Sequence, residues 1–506
     1  MLENYFSTFR QHIIGQSLTH EINGLQQDIL YADWTASGRL YQPIEDFITN
    51  KLGPYVANTH TEANLTGSTM TQAYHDAQHI IKRHVNANEN DALICAGSGM
   101  TTVINKLQRM LGLRIPEQFQ SVCKQAQNLK PVVFITHMEH HSNQTTWNAC
   151  SVNVEVINKN ASGQPCEAHL SKLLNMYQHR PMKIGAFTAC SNVTGIKTNY
   201  HQLAKIMHQH GGICFIDFAC SAPYVDIDMH PVDPEQKLDA IYFSPHKFLG
   251  GPGSAGVLIF DKTLYANKVP DQPGGGTVTW TNPWGEQGFF DDIETREDGG
   301  TPGFLQTIKV ALAIKVKEQM GTDKIQQREH ELTQILLSGV SEISGVEVLE
   351  KQVTQRLCIV SFYAEHVHYN LIVRLLNDKF GIQARGGCSC AGTYGHILLN
   401  VDKDMSGDIT NKIDNGDLSE KPGWVRLSLH PTSTNQEANY IVDSLKQVIS
   451  NAALWAKEYQ FDLLSGDYTP KQPTTQLVSL DEFTPCGQTQ LNLSKRKATK
   501  ANLTAV

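Results

Sequence analysis

The chain has no apolar run long enough to cross a bilayer, so no membrane association is expected. Its start, MLENYFSTFRQHIIG, lacks the basic head and apolar stretch of an export signal. Positive charge is not in excess: 42 Lys and Arg stand against 50 Asp and Glu, a net charge of −8. Nucleic acid is therefore not an expected partner. The short basic run Lys495-Arg496-Lys497 reads as a solvated tail. The eleven cysteines show no framework spacing. Without an export signal they read as reduced thiols in a cytoplasm. No internal repeat is visible. What is present is enough apolar sequence, 40 %, to build real cores in a 506-residue chain that suits two or three domains.

Residues 1–25 read as a helical lead-in. Over residues 26–320 short apolar runs alternate with amphipathic stretches. Ala92–Cys95, Val132–Thr136, Val152–Ile157, Ile184–Thr188, Ile213–Asp217, Ala240–Ser244 and Val257–Phe260 read as strands, and Met70–Val85, Thr101–Leu111 and Tyr200–His210 as helices. Such alternation predicts an α/β domain, a mainly parallel seven-stranded sheet covered on both faces. Ligands on such sheets sit beyond the C-terminal strand ends. A long helical stretch from Thr307 leads into a smaller α+β domain over 321–464, closed by a helix at Gln436–Ala456. Within it, 400–422 is polar and acidic and reads as an inserted loop. Residues 465–506, rich in Thr, Gln, Ser and Pro, read as a disordered tail.

The most informative segment is Ser244-Pro245-His246-Lys247, followed by a glycine-rich turn. A lysine held in a polar pocket can form a Schiff base with an aldehyde. Asp217, ending the apolar run Ile213–Ile216, can hold a protonated pyridine nitrogen. Together they point to pyridoxal 5'-phosphate (PLP) as cofactor. Ala96-Gly-Ser-Gly-Met-Thr-Thr102 follows a strand and opens a helix, a place where backbone N–H groups can receive a phosphate. It lacks the third glycine of a dinucleotide fingerprint and the lysine of a P-loop.

His137, His140 and His141 crowd one short segment with no accompanying ligand set, so no metal site is expected; an imidazole stacked on a planar cofactor is the alternative. Arg385-Gly-Gly-Cys388-Ser-Cys390-Ala-Gly392 is a small-residue loop with two thiols, suited to a nucleophile that must reach a substrate. Arg426, on a short strand, can clamp a carboxylate. Asp402–Ile409 matches the start of an EF-hand loop, but position twelve is Ile413 where a bidentate glutamate is needed.

In combination these motifs resemble the class V aminotransferase family, of fold-type-I PLP architecture, in its cysteine desulfurase and selenocysteine lyase-like branch. The likeness runs from about Tyr31 to Ala456. It rests on Tyr31-Ala-Asp-Trp-Thr-Ala-Ser37, Gly99-Met-Thr101, Glu139-His140-His141, Ser191-Asn192-Val193, Asp217, the Ser-x-His-Lys segment, Gly299-Gly-Thr-Pro302, the cysteine loop and Arg426.

The resemblance implies that Lys247 is the Schiff-base lysine, that His140 stacks on the cofactor ring and acts as a general acid, and that Asp217 pairs with the ring nitrogen. It further implies that Met100, Thr101, Ser244 and His246 hold the phosphate. Gly300 and Thr301 would reach the phosphate of a neighbouring subunit, making a homodimer. Asn192 and Arg426 would bind the substrate carboxylate, and Cys390 would carry a persulfide, with Cys388 two residues before it. Cys220 stands where the family often has a glutamine. The implied activity is removal of sulfur from L-cysteine to give alanine, with a sulfur-acceptor protein as partner. The alternatives are another PLP reaction on this fold (selenocysteine lyase, aminotransferase or epimerase) or a catalytically silent scaffold.

Overall fold

The computed structural model describes residues 2–22, 25–59, 61–120, 130–471 and 477–484. Its centre is a seven-stranded sheet of β1 (Asp91–Ala96), β2 (Val132–Thr136), β3 (Asn153–Ile157), β4 (Lys183–Thr188), β5 (Ile213–Asp217), β6 (Ala240–Phe243) and β7 (Gly256–Asp261). The spatial order is β1-β7-β6-β5-β4-β2-β3. All neighbours run parallel except β7, which is antiparallel to both β6 and β1. Residues of β2, β4 and β6 are buried throughout. A strand covered on both faces has no solvent side, so its sequence reads as an unbroken apolar run. The core lies on both faces of this sheet, and the helices Leu65–His84 and Phe304–Met320 pack together beside it.

A second sheet holds β8 (Val346–Val348), β9 (Ile359–Ala364), β10 (Arg385–Gly387) and β11 (Trp424–Ser428), all antiparallel in the order β8-β9-β11-β10. Its apolar face packs on the helices Thr322–Ser341, Tyr369–Phe380 and Asn435–Trp455. Thr434 and Glu437 form a capping box at the start of the last helix, satisfying donors that its first turn leaves open.

Three expectations are corrected. The lead-in is helical only over Leu2–Arg10; Thr19–Ile22 and Leu25–Asp28 form a hairpin. Leu30–Tyr31 then pairs in parallel with Ile382–Gln383, so this stretch packs with the smaller sheet. The segment 400–422 is not simply a loop, because Lys403–Asp414 is a helix whose first amides donate to Asp402 Oδ1. An aspartate N-cap stabilises the helix start. It also puts the EF-hand-like residues on helical backbone rather than around an ion. In the expected tail, Tyr468–Pro470 pairs with Tyr459–Phe461, and Leu480–Glu482 forms a short 3-10 turn. The basic run Lys495–Lys497 lies outside the described residues.

Candidate active site

The C-terminal ends of β2, β4, β5 and β6 meet the cysteine loop and β11 around a cavity of about 300 Å³. Met100, Thr101, His140, Asn192, Asp217, Ser244, His246, Lys247, Cys390 and Arg426 all line it. Residues from Met100 to Arg426 thus converge on one space. Gly300 and Thr301 do not join them: both are exposed, on a segment tied by the Gly300 N–H to the Gly275 carbonyl at 2.7 Å.

Lys247 sits in a 3-10 turn, Pro245–Lys247, directly beyond β6. Gly38 fixes this turn from the N-terminal side. Its N–H donates to the His246 carbonyl at 2.9 Å, and a Cβ there would stand 1.9 Å from the Phe248 carbonyl oxygen. Burial lowers the Lys247 pKa, while Cys220 and Asp217 oppose that shift. A buried amine with a lowered pKa is more often neutral and nucleophilic.

Asp217 ends β5 and is 3 % exposed. Burial raises its pKa to about 6, against the Ala219 N–H that donates to Oδ1 at 2.8 Å and the charge of Lys247. Such a carboxyl gains from a cationic partner, since a positive charge would restore its ionised form.

The helix Met100–Met110 starts at the cavity, which Met100 and Thr101 line. The Met100 N–H donates to Ser244 Oγ at 2.9 Å, and the Thr101 and Ser142 hydroxyls share a 2.7 Å hydrogen bond. A helix start with hydroxyls is a ready anion cradle. Burial, then Lys247, lowers His246 to about 4.

His140 caps the helix His141–Asn148. Its Nδ1 accepts the Ser142 N–H at 3.1 Å, which leaves the ring proton on Nε2. Burial, and the charges of Lys247, His141 and Arg426, push its pKa down to about 3. The ring is therefore neutral at pH 7.

Glu139 lies beneath it, fully buried. It accepts from the Thr136 N–H and hydroxyl, Asn143 Nδ2 and the Thr188 N–H, which joins the ends of β2 and β4 to the helix that starts at His141. Burial raises its pKa to about 7.

The cysteine loop is held from two sides. Asn192 Nδ2 donates to the Ser389 carbonyl at 2.7 Å, and the His141 N–H donates to the Cys390 carbonyl at 2.7 Å. Ser389 and Cys390 have φ of 50° and 55°, a left-handed pair that costs non-glycine residues about 1 kcal/mol each. Cys390 is exposed on the cavity wall. Cys388 instead packs against the apolar cluster around Tyr394 and Trp424.

Arg426 is nearly buried. Its Nη2 pairs with Asp33 Oδ1 at 2.9 Å, and Nη1 donates to the Asn192 carbonyl at 3.1 Å. Asp33 also binds Arg385. Sequence reasoning assigned no role to Asp33, Arg385 or Glu139, although Asp33 and Glu139 sit inside motifs that carried the resemblance. The signal was there for Asp33, a carboxylate within an otherwise apolar and hydroxylic stretch.

The residues fit PLP by their donor set. Asn192 Oδ1 and Arg426 Nε are buried and have no hydrogen-bond partner among the described residues. A helix N-terminus, a lysine and an arginine suit a phosphate and a carboxylate, and a strand-end carboxyl suits a pyridinium. Among the described residues no cluster of metal-ligating side chains occurs.

A fold of this kind, with a lysine just past a strand end facing an anion cradle, is that of the fold-type-I PLP-dependent enzymes. The aminotransferase class V family model matches residues 30–441, and the chain belongs to that family. It is 28 % identical over 378 residues to a Halalkalibacterium halodurans protein named "Probable cysteine desulfurase", covering 74 % of this chain and 86 % of the relative. The solved apo structure of cysteine desulfurase from Thermococcus onnurineus NA1 superposes with a TM-score of 0.69 at 20 % identity, covering 88 % of this chain and 98 % of that one. Cysteine desulfurase CsdA from Escherichia coli gives 0.66 at 19 %, covering 85 % and 97 %. These two likenesses show the fold.

Proposed function

We propose that the chain is a PLP-dependent cysteine desulfurase-like enzyme, which takes sulfur from L-cysteine, releases alanine and holds the sulfur as a persulfide on Cys390. The observation that carries this reading is an exposed thiol on the wall of the same cavity as Lys247. A transaminase has no need of one. The names of the relatives point the same way.

When bound, PLP supplies an electron sink for the carbon that bears the substrate amine. Lys247 would anchor it, and its Nζ would hold and move the substrate α-proton. Met100, Thr101, Ser244 and His246 would hold the phosphate, Asp217 the ring nitrogen, and His140 would support the ring. Arg426 and Asn192 hold the substrate carboxylate, which places its side chain toward the cysteine loop. The Cys390 sulfur then bonds to the substrate sulfur as the substrate C–S bond breaks, and that bond's electron pair stays with carbon. The persulfide passes to an acceptor protein.

The reading includes a cytoplasmic homodimer. Gly300 and Thr301, exposed and away from their own cavity, are free to serve a neighbour's phosphate. Residues 26–320 act as the cofactor-binding domain and 321–464 as the domain that carries the nucleophile.

Purified protein incubated with L-cysteine and a reductant tests this. Wild type should release equimolar alanine and sulfide; Cys390→Ser and Lys247→Ala should each lose both. Turnover by Lys247→Ala would overturn the PLP reading. Keto-acid-dependent amino exchange without sulfide would move the assignment to an aminotransferase.

A further inference from the structure

The cavity contains a second pair of sulfurs that the proposed chemistry leaves idle. Cys190 and Cys220 both line it, at 1 % and 6 % exposure. They follow the adjacent parallel strands β4 and β5, whose last residues, Thr188 and Asp217, are register partners. The pairing continues one step further, since the Ala189 N–H donates to the Asp217 carbonyl at 2.9 Å. The segments that carry the two cysteines therefore leave the sheet side by side. Both thiols reach toward one carbonyl, that of Ser191, at 3.6 Å from Cys190 Sγ and 3.9 Å from Cys220 Sγ.

The two thiols differ in character. Burial raises Cys190 well above an ordinary thiol, and the neighbouring Cys220 adds to that. Cys190 lowers Cys220, against burial, with Lys247 and Arg426 adding positive charge and Asp217 opposing them. Glu329, on the helix Thr322–Ser341, acts electrostatically on both sulfurs. One sulfur is thus biased toward thiolate, the form that reacts with electrophiles, and its neighbour on the adjacent segment remains a thiol.

We propose that Cys190 and Cys220 form a peroxide-sensitive pair that closes to a reversible disulfide inside the active cavity. The Cys220 thiolate attacks one oxygen of a peroxide. The O–O bond breaks, hydroxide leaves, and Cys220 becomes a sulfenic acid. The Cys190 sulfur then attacks the Cys220 sulfur; the S–O bond breaks, and water leaves with the thiol proton. The peroxide is reduced and the two sulfurs are oxidised, and a small thiol reverses the step. The bridge removes the Cys220 negative charge that supports the Lys247 ammonium. Oxidation therefore acts on the lysine as well as on the cavity wall. None of this depends on which amino acid is the substrate.

The experiment exposes PLP-loaded protein to hydrogen peroxide, traps remaining thiols by alkylation and maps the peptides without reduction. The expected result is a linked peptide pair containing Cys190 and Cys220, released by dithiothreitol. The absorbance of the bound cofactor should change over the same time course, in wild type but not in Cys190→Ala or Cys220→Ala. Full alkylation of both cysteines after treatment would overturn the proposal. So would a bridge confined to Cys388 and Cys390. The wild-type map decides by itself if either variant folds poorly. Because it reads no turnover, its failure is separate from failure of the desulfurase reading.

Discussion

Arg385 lies directly opposite Arg426 across neighbouring antiparallel strands, and Asp33 binds both. Like charges facing each other across a sheet are destabilising. The Asp33 carboxylate resolves the conflict, with 2.9 Å to Arg426 Nη2 and 2.8 Å to Arg385 Nη2. Replacing Asp33 with Asn leaves a nearly buried arginine beside a second cation. The expected loss is about 3 kcal/mol of unfolding free energy, read by chemical denaturation. A loss indistinguishable from zero would mean that the two guanidiniums find other partners.

His141 holds the nucleophile loop through two contacts. Its ring Nε2 accepts the Gly392 N–H at 2.9 Å, and its backbone N–H reaches the Cys390 carbonyl. His141→Ala removes the first and keeps the second. Sulfide release should slow by roughly tenfold to a hundredfold, the usual effect of misplacing a reacting group by about 1 Å. The spectral change on adding cysteine should keep its rate, because that step does not use Cys390. Slowing of both steps alike would argue against a role confined to the loop.

Glu329 offers a pH test. Its Oε2 accepts the Cys358 N–H at 2.7 Å, while Oε1 is buried with no hydrogen-bond partner among the described residues. Burial raises its pKa to about 8. The folded chain therefore holds this proton more tightly than the unfolded chain, and stability is lost as pH rises from the unfolded value near 4.5 through 8. Glu329→Gln should raise the melting temperature at pH 8 by a few degrees (about 1 °C per kcal/mol for a chain of this length). At pH 5 the gain should largely vanish. An equal shift at both pH values would show that ionisation is not the cause.

Asp402 carries the helix that replaces the expected loop. Asp402→Ala should cost about 1 kcal/mol of local stability, seen as faster amide exchange over Lys403–Asp414. Added calcium should leave that exchange unchanged in wild type, because the carboxylates sit on a helix without the closing glutamate. Protection that rises with calcium would restore the EF-hand reading.

Much of the large sheet was legible from sequence, because strands buried on both faces must be apolar throughout. Val132–Thr136 and Ile213–Asp217 were read to the residue. The convergence of Met100, His140, Asp217 and Lys247 followed from their places at or beyond strand ends. Elsewhere the local pattern misled. Residues 403–414 carry polar and charged side chains on most positions, and their helix is signalled only by a capping aspartate and a thin stripe of Met405, Ile409 and Ile413. The hairpin at Thr19–Asp28 has too few apolar residues for its alternation to be read.

The sequence by itself determined the chemistry on offer: a lysine past a strand, a carboxyl at a strand end, a glycine-rich helix start and a mobile-looking pair of thiols. Each is a local signal, set by residue type and spacing along the chain. Tertiary structure alone decided how those groups are used. It brought Asp33 between two arginines far along the chain, set Cys390 rather than Cys388 on the cavity wall, and brought the Cys190 and Cys220 thiols to one carbonyl, that of Ser191. It also made His140 a neutral ring, through burial and the cations around it. These outcomes depend on distances between segments and on exclusion of water, and neither quantity is written in the order of residues.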